Sequence, residues 1–174
     1  MNVRFAILLL STAASLAACA QSGTPAPGVK PNPAVDTVSA LHAIRAAGDG
    51  LDSAVQVHPL RDAAIDGFLK KAHDAESARD VATAITATNT ALKLAPDAPD
   101  ILQYLAELQV ARGDWTQADA LAMKSFSLGP KLGSLCARNW QTIVEARTAT
   151  NDAATATQAQ LRLKECRVAP RLRM

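Results

Sequence analysis

The side chains best suited to chemistry are three cysteines and three histidines, and their spacing keeps them apart. Cys19, Cys136 and Cys166 carry the thiols, and His42, His58 and His73 the imidazoles. A catalytic thiol needs a neighbouring base or positive charge to form its thiolate. No histidine lies near Cys136 or Cys166 in sequence; all three are far upstream. There is no Ser-His-Asp arrangement, no phosphate-binding Gly loop and no carboxylate pair with an evident environment. His73 and Glu76 are three apart, so on a helix they would share a face, but a metal site needs more ligands than this pair. Asp97 and Asp100 flank Pro99 and read as capping or solvated groups. The residues therefore predict no catalytic group, no metal site and no cofactor, and a chain that is not an enzyme.

Cys19 is the exception, because its neighbourhood predicts a modification. Met1 to Cys19 reads MNVRFAILLLSTAASLAAC. Arg4 and the amino terminus give a short positive region, Phe5 to Leu10 an apolar run, and small residues follow to Ala18. That pattern is a secretory signal, too short and too rich in Ala and Ser for a transmembrane helix. Leu16-Ala17-Ala18-Cys19 resembles the bacterial lipobox. The resemblance implies cleavage after residue 18 and diacylation of the Cys19 thiol, usually with acylation of the new amino group. Stable anchoring takes more than one acyl chain. Ala20 stands where an Asp commonly retains such lipoproteins in the inner membrane, so the resemblance implies an outer-membrane anchor with the body facing the periplasm.

The elements that follow must carry whatever the anchored body does. Residues 20–34, AQSGTPAPGVKPNPA, lack apolar bulk and read as a flexible tether, reaching at most roughly 50 Å. The rest is one domain's worth of chain. The net charge of +2 leaves no broad nucleic-acid footprint. Aromatics are only 3% and alanine is abundant, which favours closely packed helices. Val35, Val38, Leu41, Ile44 and Ala47 recur every third residue and predict a helix that Gly48-Asp49-Gly50 stops. Residues 51–60 read equally as a short extended segment or a helix. A helical pattern resumes over 61–78, with Ala64, Phe68 and Ala72 on one face. Cys136 and Cys166, an even pair in an oxidising compartment, read as a disulfide, and two buried free thiols are the alternative.

The most informative stretch is 65–166, where a pattern repeats. In Pro99–Pro130, Leu102, Leu105 and Ala106 open a helix. Gly113-Asp114 supplies a left-handed C-cap and the next N-cap. Trp115, Ala118, Leu121, Ala122, Ser125 and Phe126 form a second helix that Pro130 ends. This resembles the tetratricopeptide repeat, with Gln109 replacing an expected aromatic and Ser125 an expected Ala. An earlier, degenerate copy runs Ile65–Pro96 through Phe68, Ala72, Asp80-Val81, Ala84 and Ala91, with Lys71 and Arg79 departing; its first helix is expected to run straighter into its second. A later copy begins near Ala137, about four residues late, and uses Trp140, Ile143, Asn151-Asp152 and Ala156, with Val144 departing; a register shifted by four is the alternative. In that register Cys136 precedes one helix of a hairpin and Cys166 ends the other, so the hairpin and disulfide readings support each other.

The resemblance implies an all-α fold of TPR-like antiparallel helix pairs in a short right-handed superhelix. The expected organisation is 1–18 signal, 19–34 lipidated Cys and tether, 35–60 helix and irregular segment, 61–166 about three repeats, and 167–174 basic tail. In the family, binding usually falls on the concave face formed by each first helix. That places the expected protein-binding groove at His73 and Glu76, with Leu69; at Gln103, Tyr104 and Glu107, with Val110; and at Arg138, Gln141 and Glu145, with Thr148. The Lys/Asn cluster with which some members clamp a peptide carboxylate is not reproduced. The function implied is an adaptor for periplasmic or outer-membrane proteins, held to the membrane by its lipid. Lipoproteins of this architecture include scaffolds for cell-wall hydrolases, assembly factors for outer-membrane proteins, and pilotins. The alternative is a structural envelope protein binding peptidoglycan or lipopolysaccharide through Arg162, Lys164, Arg167, Arg171 and Arg173.

Overall fold

Aspartates start five of the helices and a left-handed residue ends three of them. The computed structural model describes residues 35–51 and 61–167. The expected signal, tether, nearly all of the 51–60 segment and residues 168–174 of the basic tail lie outside them. The described residues form seven helices and no strand: α1 (Thr37–Ala47), α2 (Ala63–Ser77), α3 (Val81–Leu94), α4 (Pro99–Arg112), α5 (Trp115–Leu128), α6 (Ser134–Ala149) and α7 (Ala153–Glu165). The fold is all-α. Helices α2 to α7 pair as the hairpins α2–α3, α4–α5 and α6–α7, and each hairpin packs on the next.

The same turn closes every hairpin. Arg79, Gly113 and Asn151 have φ of 63°, 80° and 60°. In each turn the following Asp N–H reaches back to the helix, from Asp80 to Ala75 O, Asp114 to Gln109 O and Asp152 to Arg147 O, at 2.8–2.9 Å. That is the backbone pattern by which a left-handed residue satisfies the last carbonyls of a helix. The aspartates then cap the next helix, their side chains accepting from the N–H groups of Thr83, Gln117 and Thr155. Hydrogen bonds from Thr83 and Thr155 hold the Asp80 and Asp152 carboxyls below the usual range. Arg79 to Gly113 is 34 residues, and Gly113 to Asn151 is 38. The longer step matches the extra residues between Pro130 and α6 and sets the third copy without a shift of four. The first copy turns as tightly as the others, contrary to the straighter run expected of it.

Small residues let the hairpins close. Ala72, Ala84, Ala91, Ala106, Ala118 and Ala122 are fully buried between helices. Ser125 is fully buried as well, and its hydroxyl donates to Pro99 O at 2.7 Å, which satisfies the polar group that replaces an alanine. Trp115 packs with Val110, Ala118, Ala146 and Ala149, joining α4, α5 and α6. The Arg147 guanidinium grips Asp119 with two hydrogen bonds, Nε–Oδ1 at 2.9 Å and Nη2–Oδ2 at 2.6 Å, tying α6 to α5.

Cys136 and Cys166 are joined in a disulfide, buried beside Ala137, Phe126, Trp140 and Leu163. Cys136 lies within the first turn of α6 rather than before it. Alongside, the Gly133 N–H donates to Cys166 O at 2.8 Å, so the open end of the last hairpin is closed by a covalent bond and a backbone bond. A crosslink between residues 30 apart stabilises by about 3–4 kcal/mol through the unfolded chain's lost entropy.

On two helices the buried face differs from the expected one, by one residue on α2 and by two at the start of α1. On α2, Ala64 is exposed and Ile65 is buried against Ala91 and Ile101. On α1, Val38 is exposed, and the inward face is Ala40, Ile44 and Gly48, spaced by four. A strict spacing of three rotates away from any one face of a helix, whereas a spacing of four stays closer to it.

The turns also differ in cost. Arg79 holds a left-handed backbone that its Cβ disfavours, and glycine takes it freely. Arg79→Gly is expected to stabilise the chain by about 1 kcal/mol, read as a rise in the denaturation midpoint with unchanged slope; an unchanged or lower midpoint would show that this turn is not strained.

Candidate interaction site

Helices α2, α4 and α6 line one side of the hairpin array, and α1 lies across it against α4 and α6. Its direction follows from its contacts. Gly48, at its C-terminal end, sits against Ser134 and Arg138 at the start of α6, while Ala40 and Ile44 pack with Val110, Ala146 and Ala149. Helix α1 thus runs antiparallel to α6. A Cβ on Gly48 would stand 2.5 Å from Ser134 Oγ and 3.0 Å from Arg138 Cγ and Cδ. Its φ is −82°, so glycine serves close approach here rather than an unusual backbone.

Under and beside α1 the polar residues form one network. Glu107 is fully buried. Its Oε1 accepts from Gln103 Nε2 at 3.0 Å and from Arg138 Nε at 2.8 Å, with a second bond from Arg138 Nη2. Its Oε2 accepts from Arg45 Nε at 3.1 Å. Arg45 continues to Glu76, Nη2 to Oε1 at 2.5 Å. Tyr104 donates to Glu76 Oε2 at 2.9 Å, and its ring lies 4.4 Å from that of His73. Burial, with Glu76 as acceptor, raises the Tyr104 phenol well above its ordinary value, so it stays a donor. Gln103 Nε2 also donates to Thr142 Oγ1 at 2.9 Å, linking α4 to α6.

A buried carboxylate is costly unless paired and hydrogen-bonded. Glu107 meets both conditions with groups from three helices: Arg45 from α1, Gln103 from α4 and Arg138 from α6. The two guanidiniums and two carboxylates balance. A guanidinium stays charged across the ordinary pH range, and here the two of them tie α1, α2, α4 and α6 together. Among the described residues no group of three His, Cys, Asp or Glu is placed to hold a metal ion.

The expected groove residues therefore fall into two sets. Gln103, Glu107 and Val110 are buried beneath α1, and Tyr104 is nearly so. With α1 lying over them, these residues do not present an open surface. His73 stays exposed, while Glu76, Arg138, Gln141 and Glu145 are half-buried. Sequence reasoning missed α1 as the cover, and with it Arg45, Ile44 and Gly48. The signal available was the pairing of Ile44-Arg45 with a glycine three residues on, but nothing in it names Glu76 or Glu107, 31 and 62 residues away.

The attachment of α1 is modest. Ile44 contributes roughly 1.5–3 kcal/mol by burial, and Arg45, with 44% of its side chain exposed, adds at most about 1 kcal/mol per ion pair. An isolated helix of 11 residues is marginal in water. Helix α1 is therefore held by roughly a few kcal/mol.

Three helical hairpins with one further helix laid across their polar face define an all-α repeat domain. No protein-family model matches the chain, and no curated protein sequence does. Among solved structures it is similar to the globular C-terminal domain of P. aeruginosa LpoP, at 28% identity and a TM-score of 0.56, over 60% of this chain and 99% of that one. No described helix is long and apolar enough to cross a membrane.

Farther along α6, Glu145 accepts from Gln141 Nε2 at 2.7 Å, and burial raises its carboxyl above the ordinary value. An acid with a raised folded pKa destabilises the fold as pH climbs through that value and is neutral below its unfolded pKa. Glu145→Gln is thus expected to raise the melting temperature at pH 7 and leave it unchanged at pH 3.5; equal shifts at both pH values would mean the carboxylate is not penalised.

Proposed function

We propose that the chain is a non-enzymatic, lipid-anchored adaptor of tetratricopeptide type, holding one or more periplasmic or outer-membrane proteins near the outer membrane. The observation that carries this reading is the charged network on the side of α2, α4 and α6, in which Arg45, Glu76, Tyr104, Glu107 and Arg138 gather on a helical repeat. Such helical surfaces suit protein recognition. The left-handed turns at Arg79, Gly113 and Asn151, each followed by a capping Asp, support the repeat assignment. The similarity to the LpoP domain, which is matched over nearly its whole length, supports a self-contained body on the tether. The lipobox at Leu16–Cys19 supports the anchor and the compartment.

The test is a crosslinked pull-down from envelope extract using the lipidated chain, a His73→Ala, Gln141→Ala variant, and a chain ending at Arg167. The varied residues are chosen because neither is fully buried; changes at Tyr104 or Glu107 would disturb the network that seats α1. The adaptor reading expects one enriched protein, lost at least tenfold in the double variant and kept by the shortened chain. Enrichment of peptidoglycan or lipopolysaccharide that needs residues 168–174 and falls steeply with salt would replace it with polymer binding through the basic tail.

A further inference from the structure

The face beneath α1 has the character of a binding surface rather than a core. Gln103, Glu107 and Thr142 are all fully buried there, and Gln103 Oε1 has no hydrogen-bond partner among the described residues, which is rare for a buried amide. Helix α1 meets this face as a ligand would. It supplies one fully buried aliphatic residue, Ile44, with Leu41 packed beside it; one arginine; and small residues, Ala40 and Gly48, where backbones approach. Its backbone packs on α4 and α6, and it reaches α2 through the Arg45–Glu76 ion pair. Its outward side leaves Val38 74% exposed.

Charge sets what the face accepts. Without α1, Glu76 and Glu107 keep Arg138 as the one guanidinium of the network, and an excess negative charge remains in a half-buried cleft. The two carboxylates are bridged by different nitrogens of one planar fork, Nε to Glu107 and Nη2 to Glu76. Arginine spans them in a way that the point charge of lysine does not.

We propose that α1 is the resident, displaceable occupant of a helix-binding groove, and that a partner protein binds by placing there a helix with the same features: a small residue, an aliphatic residue four positions on, an arginine next to it, and a glycine or alanine three further. This rests on the adaptor reading for the partner being a protein. The groove and its preference are testable without the partner.

The probe is a fluorescein-labelled peptide of residues 35–51, titrated by anisotropy into the full chain and into its Ile44→Asp, Arg45→Glu variant, whose own α1 is expelled by a buried charge and by repulsion from Glu107. The variant is expected to bind the peptide saturably. The unmodified chain should bind at least tenfold more weakly, because its tethered α1 competes at high effective concentration. A peptide carrying Arg45→Glu should lose at least tenfold. A variant that melts cooperatively yet does not bind, or an Arg45→Glu peptide that binds equally, overturns the proposal. Hydrogen exchange on the unmodified chain gives a test independent of any substitution: α1 amides should exchange at least tenfold faster than those of α4, and equal protection overturns displaceability. A concentration-dependent dimer that protects α1 would place a second copy's helix in the groove and overturn the partner-helix assignment. Peptide binding with no partner in envelope extract would leave the groove standing and the adaptor reading failed; the converse would separate them the other way.

Discussion

A single buried carboxylate organises the side of the molecule on which α1 lies. Glu107 sits in the middle of α4, fully out of solvent, and accepts from α1, α4 and α6 at once. Remove the guanidiniums and the charge is unsupported; remove the carboxylate and two arginines lose the group that orients them. Breaking such a set from one side is more costly than the set is stabilising, since the remaining charges are left without compensation. Everything on that side follows from it: Arg138 folds back over α4, Gln103 turns to share its amide with Thr142, and Arg45 brings α1 down onto the array and passes the connection on to Glu76 and Tyr104.

The rest of the fold is built by repetition and is correspondingly simple. Each hairpin turns at one left-handed residue and one aspartate, and each packs through alanines that let helices approach. Among the described helices, only the last hairpin carries a crosslink. There the Cys136–Cys166 disulfide and the Gly133–Cys166 backbone bond close the end that neighbouring helices would otherwise hold. Ala47 of α1 and Leu51 just beyond it pack against this end too, so the same staple shapes one end of the seat for α1.

The repeat was legible because its information is local. Gly113-Asp114 and Asn151-Asp152 announce a left-handed cap and an N-cap within two residues, and the small residues at Ala72, Ala106 and Ala118 fall at a fixed distance from them. Even the degenerate first copy keeps the turn, with Arg79 forced into a conformation that its type does not favour, because the hairpin's packing outweighs the local preference. The arrangement of α1 was not legible because it is tertiary. Its apolar spacing predicts a helix and its glycine predicts where that helix stops, but the spacing of three pointed to Val38 instead of Ala40, and no pattern ties Arg45 to carboxylates on two other helices. The expected groove residues lie on the first helix of each pair, but periodicity assigns a face without saying what lies on it.

Arg45 and Glu107 act as one unit in seating α1, and a double-mutant cycle measures their coupling. Arg45→Gln, Glu107→Gln and the double variant would be compared with the unmodified chain by urea denaturation. A coupling of about 0.5–1 kcal/mol between the two sites is expected, beyond the few tenths seen for independent positions. Additive effects, with coupling below about 0.3 kcal/mol, would contradict it and leave α1 held by Ile44 and its small neighbours alone.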